Sequence, residues 1–135
     1  MKTMELDNDA QVKKVKGFVQ DWFAHYEALS NEDYFLAHIT PDATFKFVEG
    51  EYFGPEGFST WYKNIMLTYR PNNEHRIEAI FVVKQDGYYH VDVSFRFLGE
   101  TKNGQVLTLD MQEYFKVEMQ GDGRMMIHEN VVYSV

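Results

Sequence analysis

The sequence predicts an α+β domain in which helices come first and an antiparallel sheet follows. Three observations predict it. Before Asn72, apolar residues recur every three or four positions, the period of a helix with one buried face. After it, four alternating segments are separated by Asp86-Gly87, Asn103-Gly104 and Gly121-Asp122-Gly123, all hairpin signals. Aromatic residues reach 16% of 135, enough large apolar area for one core. No linker or repeat divides the chain, so residues 1–135 are expected to form a single domain.

The first helix is expected to be capped by Asp7 or Asp9 and to bury Val12, Val15, Val19, Trp22, Tyr26 and Leu29. Lys13, Lys16 and Gln20 fall on its outer side. Ser30 and Asn31 break that pattern and cap a second helix over Glu32 to His38. Thr40-Pro41-Asp42 ends it, because proline biases its predecessor away from helix. A strand from Ala43 to Val48 follows, Gly50 permits a turn, and Glu51-Tyr52-Phe53 pairs back. Gly54-Pro55-Glu56 opens a third helix with Phe58, Trp61, Tyr62, Ile65 and Tyr69 on its apolar side. The long strands then run about Glu74–Lys84, Tyr88–Leu98, Gln105–Glu118 and Arg124–Val135.

Thirteen Lys and Arg against 21 Asp and Glu give a net charge of −8. That balance argues against nucleic acid and anionic membrane surfaces, which both require clustered cations. The start of the chain has no apolar core of a signal peptide, no segment resembles a membrane span, and there is no Cys. A soluble cytoplasmic protein is expected. His38, His75 and His90 are dispersed, and no HExxH, phosphate-binding glycine loop or GxSxG occurs. Neither metal nor cofactor is expected.

Parity along the third long strand places Leu107, Leu109, Met111, Phe115 and Val117 on one face, and Glu113 falls among them. A buried carboxylate is costly unless compensated, so Glu113 is the most informative exception in the chain. If the last hairpin turns through Gln120-Gly121, or through Met119 to Asp122, Glu113 lies opposite His128, with Asn130 and Val132 inward beside them. A bulge would turn His128 to the other face. In the first hairpin, a three-residue turn Gln85-Asp86-Gly87 matches Ile77, Ala79 and Phe81 with Phe95, Val93 and Val91. A two-residue turn would match them with Arg96, Ser94 and Asp92, so the longer one is expected. Phe95 then neighbours Glu113 if the next hairpin carries a bulge near Gly99. On the final strand Ile127, Val131 and Tyr133 would form an apolar outer face, and such patches mark interfaces.

This order of elements resembles the nuclear transport factor two-like superfamily, in particular its SnoaL-like members. The resemblance rests on the aromatic first helix, TPDATFKF (Thr40 to Phe47), the GPEGFSTWY helix start and the four strands closing at HENVVYSV. It implies a cone-shaped fold, with a strongly curved sheet wrapped around the helices and an internal apolar pocket. It also implies a homodimer through the outer sheet face. The fold hosts isomerases, dehydratases, cyclases and non-catalytic binders alike. Ketosteroid isomerase is similar in outline; the handling of its pocket carboxylates is a known case of tuned pKa. Its catalytic Tyr would fall near Phe23, with Tyr26 a turn further on, its general-base Asp near Phe47, and its oxyanion-hole Asp at Glu113. Many SnoaL-like cyclases carry a His at about His128, but their acid Asp has only Asn130 or Ser134 in its neighbourhood.

Glu113 and His128 are therefore the candidate catalytic pair, one serving as base or acid and the other as its partner. Candidate pocket residues are Trp22, Tyr26, Phe47, Tyr62, Phe95, Met111, Asn130 and Val132; Tyr52 and Trp61 could also line a cavity, and His25 could reach its mouth. Three functions are compatible with these residues. The first is a cofactor-independent isomerase, cyclase or dehydratase acting on a small hydrophobic carbonyl compound. The others are a module that binds such a molecule unchanged and a dimeric interaction domain.

Overall fold

The computed structural model describes residues 2–134, with side chains from Ala10 to Tyr133. Its elements are α1 (Lys2–Glu27), α2 (Glu32–Leu36), β1 (Ile39–Phe47), β2 (Gly50–Phe53), α3 (Gly54–Thr68), β3 (Glu74–Gln85), β4 (Tyr88–Glu100), β5 (Val106–Met119) and β6 (Met125–Ser134). Asp7 and Asp9 lie inside α1 rather than capping it, and their side chains lie outside the described residues. Leu29 lies beyond the end of α1 with a left-handed backbone (φ 49). Asn31 caps α2, its side chain accepting the Asp33 N–H at 2.9 Å.

The strand order is β2-β1-β6-β5-β4-β3 in one curved, open sheet. Every neighbouring pair is antiparallel except β1 with β6, which is parallel, so the sheet is mixed rather than wholly antiparallel. Parallel neighbours need a long crossover, and here everything from β2 to β5 supplies it. β1 also begins earlier than expected and contains Pro41. The proline is tolerated because β1 changes register against β6 between Ile39 and Thr44, where it has no ladder bond to give.

Two bulges decide which side chains face inward. The β3–β4 turn has two residues, not three: Gln85 faces Tyr88 across Asp86 (φ 56) and Gly87 (φ 82). Positive φ at both central positions is the twist-compatible hairpin geometry. Ala79 and Phe81 consequently face Ser94 and Asp92, and a bulge at Glu78 then returns Ile77 to Phe95. β4 and β5 pair without interruption, so no bulge occurs near Gly99; Phe95 faces Met111 and Val93 faces Glu113.

The second bulge corrects the expected partner of Glu113. Met119 faces Met125 across a five-residue loop, and between Val117↔Ile127 and Lys116↔Glu129 the additional residue is His128. His128 is thereby turned to the outer face, where Nε2 lies 2.7 Å from Glu118 Oε1. Glu113 faces Val132 instead. Ile127, expected on the outer face, is completely buried in the core. The outer apolar set on β6 is therefore reduced to Val131 and Tyr133, while exposed Phe81 and Val83 lie on the same face of β3.

The core is an aromatic stack between helices and sheet. Trp22 of α1 is fully buried, its ring 4.8 Å from Phe35 of α2, 5.8 Å from Phe58 of α3 and 6.5 Å from Phe115 of β5. Val15, Phe18, Val19, Phe23 and Tyr26 complete the buried stripe of α1 among the described residues. The start of α3 is fixed by Gly54, whose φ of +65 disfavours other residues and where a Cβ would sit 2.8 Å from the Pro41 carbonyl oxygen. Gly54→Ala is expected to cost about 1–3 kcal/mol in urea unfolding. Gly121→Ala, in a loop with nothing within 4 Å, should leave the midpoint in place; equal midpoints for the two variants would contradict this account of the α3 start.

Candidate functional site

A cavity of about 220 Å³ opens between the helices and the concave face of the sheet. Its walls are Phe47, Val48, Trp61, Ile65, Phe95, Phe97, Leu109, Met111 and Val132, with Tyr26, Glu49, Tyr69, Asn73, His75 and Glu113 as its polar groups. A volume of this size holds one or two fused rings, and the apolar lining selects for them. The Phe47 and Trp61 rings lie 4.1 Å apart, and Trp61 Nε1 donates to Glu49 Oε1 at 2.9 Å.

Glu113 is placed by a single inward row across the sheet, Ile80–Val93–Glu113–Val132. Only 4% of it is exposed. Burial pushes its carboxyl up to about 8, although a hydrogen bond from Asn130 works in the opposite direction. Asn130, fully buried beside Phe115, donates from Nδ2 to Glu113 Oε2 at 2.9 Å and to the Tyr114 carbonyl at 3.0 Å. A carbonyl can only accept, so the amide orientation is fixed. Glu113 Oε2 is therefore the accepting oxygen. The proton that Glu113 carries at neutral pH belongs on Oε1, to which no described residue hydrogen-bonds.

Tyr26 contributes a buried hydroxyl; the neighbouring Trp22 indole N–H favours its ionised form, but the two make no hydrogen bond of normal geometry and no other described residue bonds the hydroxyl. Burial, and then the Glu113 charge, hold this phenol well above the ordinary tyrosine range, so it remains a donor. His75 stacks on Phe23 with ring centroids 5.1 Å apart, and its ring lies 6.1 Å from that of Tyr26. Burial pushes its imidazole down to about 4, so it is neutral at pH 7. Its 3.5 Å approach to Glu27 is consequently not an ion pair at that pH.

Of the residues singled out from the sequence, Tyr26, Phe47, Trp61, Phe95, Met111, Glu113 and Val132 meet at this cavity, and Tyr52 does not line it. Asn130 stands behind Glu113, while Trp22 and Tyr62 pack in the core, where the Tyr62 hydroxyl donates to the Ser30 carbonyl at 2.6 Å. His128 is on the opposite face of the sheet. His25 stacks on Tyr34 and bonds Ser30 instead of lining the cavity. Sequence reasoning assigned no role at the site to Asn73 or His75. The parity test that isolates Glu113 also isolates His75, which shares a strand face with Ile77; Asn73 precedes the strand and gives no such signal.

Among the described residues no group of three or more His, Asp or Glu side chains could hold a metal ion. None of their helices is long and apolar enough to cross a membrane.

No protein-family model matches the sequence, and no curated protein matches it. Solved structures do match. A scytalone dehydratase-like protein from Novosphingobium aromaticivorans is 12% identical, with a TM-score of 0.84 over 95% of this chain and 86% of that one. A nuclear transport factor 2-like superfamily protein from Salmonella enterica is 10% identical, with a TM-score of 0.84 over 94% and 92%. A ketosteroid isomerase-like protein from Erwinia carotovora is 13% identical, with a TM-score of 0.74 over 89% and 92%. Likeness at such identities is one of fold.

The two displaced pKa values make a signed prediction for stability. Glu113 binds its proton more tightly folded (about 8) than at its ordinary value of 4.5, so its contribution is complete below 4.5 and is lost as pH rises to 8. His75 acts oppositely, losing its contribution as pH falls from 6.5 to about 4. Between pH 6.5 and 8 only the Glu113 effect operates, and stability should fall by up to about 1.4 kcal/mol per pH unit. Urea unfolding of Glu113→Gln should lack that slope; a slope equal to wild type would mean the carboxyl is not buried.

Proposed function

We propose that this chain, with its nuclear transport factor 2-like fold, is a cofactor-independent enzyme that moves a proton on a small hydrophobic ketone. The observation that carries the reading is the Glu113 carboxyl, desolvated on the cavity wall and held by Asn130 with Oε1 left free. A base works best when its pKa lies near the working pH, and burial has brought Glu113 there. Ionised Glu113 takes a proton from the carbon next to the carbonyl. The Tyr26 hydroxyl, whose hydrogen is accepted by none of the described residues, donates to the oxygen on which negative charge develops. Returning the proton to another carbon gives an isomer; giving it to a departing hydroxyl gives a dehydration product and water.

β-Tetralone tests this, because its size suits the cavity and its activated C–H bonds exchange with D2O. Proton NMR should show exchange faster than in buffer, with kcat/KM rising about tenfold per pH unit towards pH 8 and flattening above it. Glu113→Gln should lower the rate by about a hundredfold or more, and Tyr26→Phe by about tenfold. Wild-type exchange in Glu113→Gln would remove Glu113 from the role.

A second reading, a module that binds its ligand unchanged, draws on Phe47, which faces the cavity and carries no proton, and on His75, held neutral. Binding of β-tetralone without any exchange would select it. We also propose that a second copy covers the outer sheet face at Val131 and Tyr133. Sedimentation at micromolar concentration should then show a dimer, which Tyr133→Glu weakens; a wild-type monomer would reject this.

A further inference from the structure

Of the polar side chains of the cavity that the proton-transfer scheme leaves without a task, Asn73 and His75 are the two that lie side by side at the start of β3. Asn73 is 9% exposed and its Oδ1 has no partner among the described residues. His75 joins it on the cavity wall. The segment that carries them is tied to the end of α1 on either side of Asn73: the Glu27 carbonyl accepts the Asn72 N–H at 2.7 Å, and the Glu27 carboxylate accepts the backbone N–H of His75. The same carboxylate oxygen lies 3.5 Å from His75 Nδ1. A lone pair facing it would be repelled, whereas an N–H is attracted, so Glu27 selects the tautomer protonated on Nδ1. At that distance Nδ1 makes no hydrogen bond, so Glu27 acts through its charge alone; Nε2 then carries the lone pair, and no described residue hydrogen-bonds to it.

We propose that Asn73 Oδ1 and His75 Nε2 form a hydroxyl-accepting subsite beside Glu113 and Tyr26, so that the ligand is a neutral hydroxy-ketone and not a simple ketone. This rests on the reading of the cavity as a ketone site and adds its specificity. Tyr26 offers a hydrogen where the ligand must bring an acceptor; Asn73 and His75 offer acceptors where it must bring a hydrogen. The Tyr26 and His75 ring centroids lie 6.1 Å apart, so the carbonyl and the hydroxyl of one small ring system would meet neighbouring walls of the cavity. The low imidazole pKa keeps His75 an acceptor throughout the neutral range. Glu27 acts as a positioning residue, setting which nitrogen is free.

Calorimetry with a set of hydroxy-β-tetralones and their methyl ethers tests the subsite, since methylation removes the donor and leaves the carbonyl. Wild type should bind at least one hydroxy compound about tenfold more tightly than its ether, and His75→Phe should bring the two affinities together. Nitrogen-15 NMR of the wild-type imidazole should find Nε2 unprotonated, and Glu27→Gln, whose amide can donate to Nδ1, should shift the proton towards Nε2. Equal affinities for every pair in wild type, a preference that survives in His75→Phe, or a wild-type proton on Nε2 would each overturn the subsite. If β-tetralone still exchanges in those cases, the subsite alone falls; if no tetralone binds at all, the ketone reading falls with it.

Discussion

Removing the Glu113 carboxyl from water is the demand around which the concave side of this molecule is arranged. A charged carboxylate in such surroundings is so unfavourable that the group keeps its proton well past the pH at which an exposed one has lost it. The sheet supplies the dry surroundings through Val93 and Val132 on either side, and Asn130 supplies the one hydrogen bond that orients the group. The carboxyl is therefore fixed in position yet variable in charge. That combination lets a single residue serve as a donor when protonated and a base when not.

The bulges in β3 and β6 make this arrangement compatible with a continuous apolar lining. Strand side chains alternate, so Ile127 and Asn130, three residues apart, cannot share a face in a regular strand. Inserting His128 as an unpaired residue allows Ile127 to close the core while Asn130 reaches Glu113. Glu78 does the equivalent in β3, letting both Ile77 and Ile80 turn inward. Bulges near sites commonly re-aim side chains in this way. The cost falls on the outer face, where His128 finds Glu118 as its partner.

Much of this architecture could be read from the chain. Alternation and the Asp86-Gly87, Asn103-Gly104 and Gly121 to Gly123 punctuation place all four long strands within a residue or two, and Asn31 and Gly54-Pro55 place the starts of α2 and α3. Glu113 is legible because it breaks a long apolar parity. His128 is not, because one extra residue in a strand leaves no mark in composition and reverses the face of everything beyond it. His75 was legible by parity but shows its environment only once Phe23 and Glu27 of α1 are folded against β3. The parallel pairing of β1 with β6 joins segments some eighty residues apart, and local patterning carries no information about that.

The same pairing bears on how the protein emerges from the ribosome. β6, synthesised after every other strand, sits between β1 and β5 and not at an edge. Until it arrives, β1 and β5 each present an unpaired edge, and the two parts of the sheet have no ladder joining them. Contacts between segments so distant in sequence carry a large loop-closure cost and slow folding. The nascent chain must therefore wait, with aromatic surface incompletely covered, for a segment that both zips the sheet and brings Asn130 to Glu113. Acquisition of the fold and acquisition of the site are one event in the life of this chain.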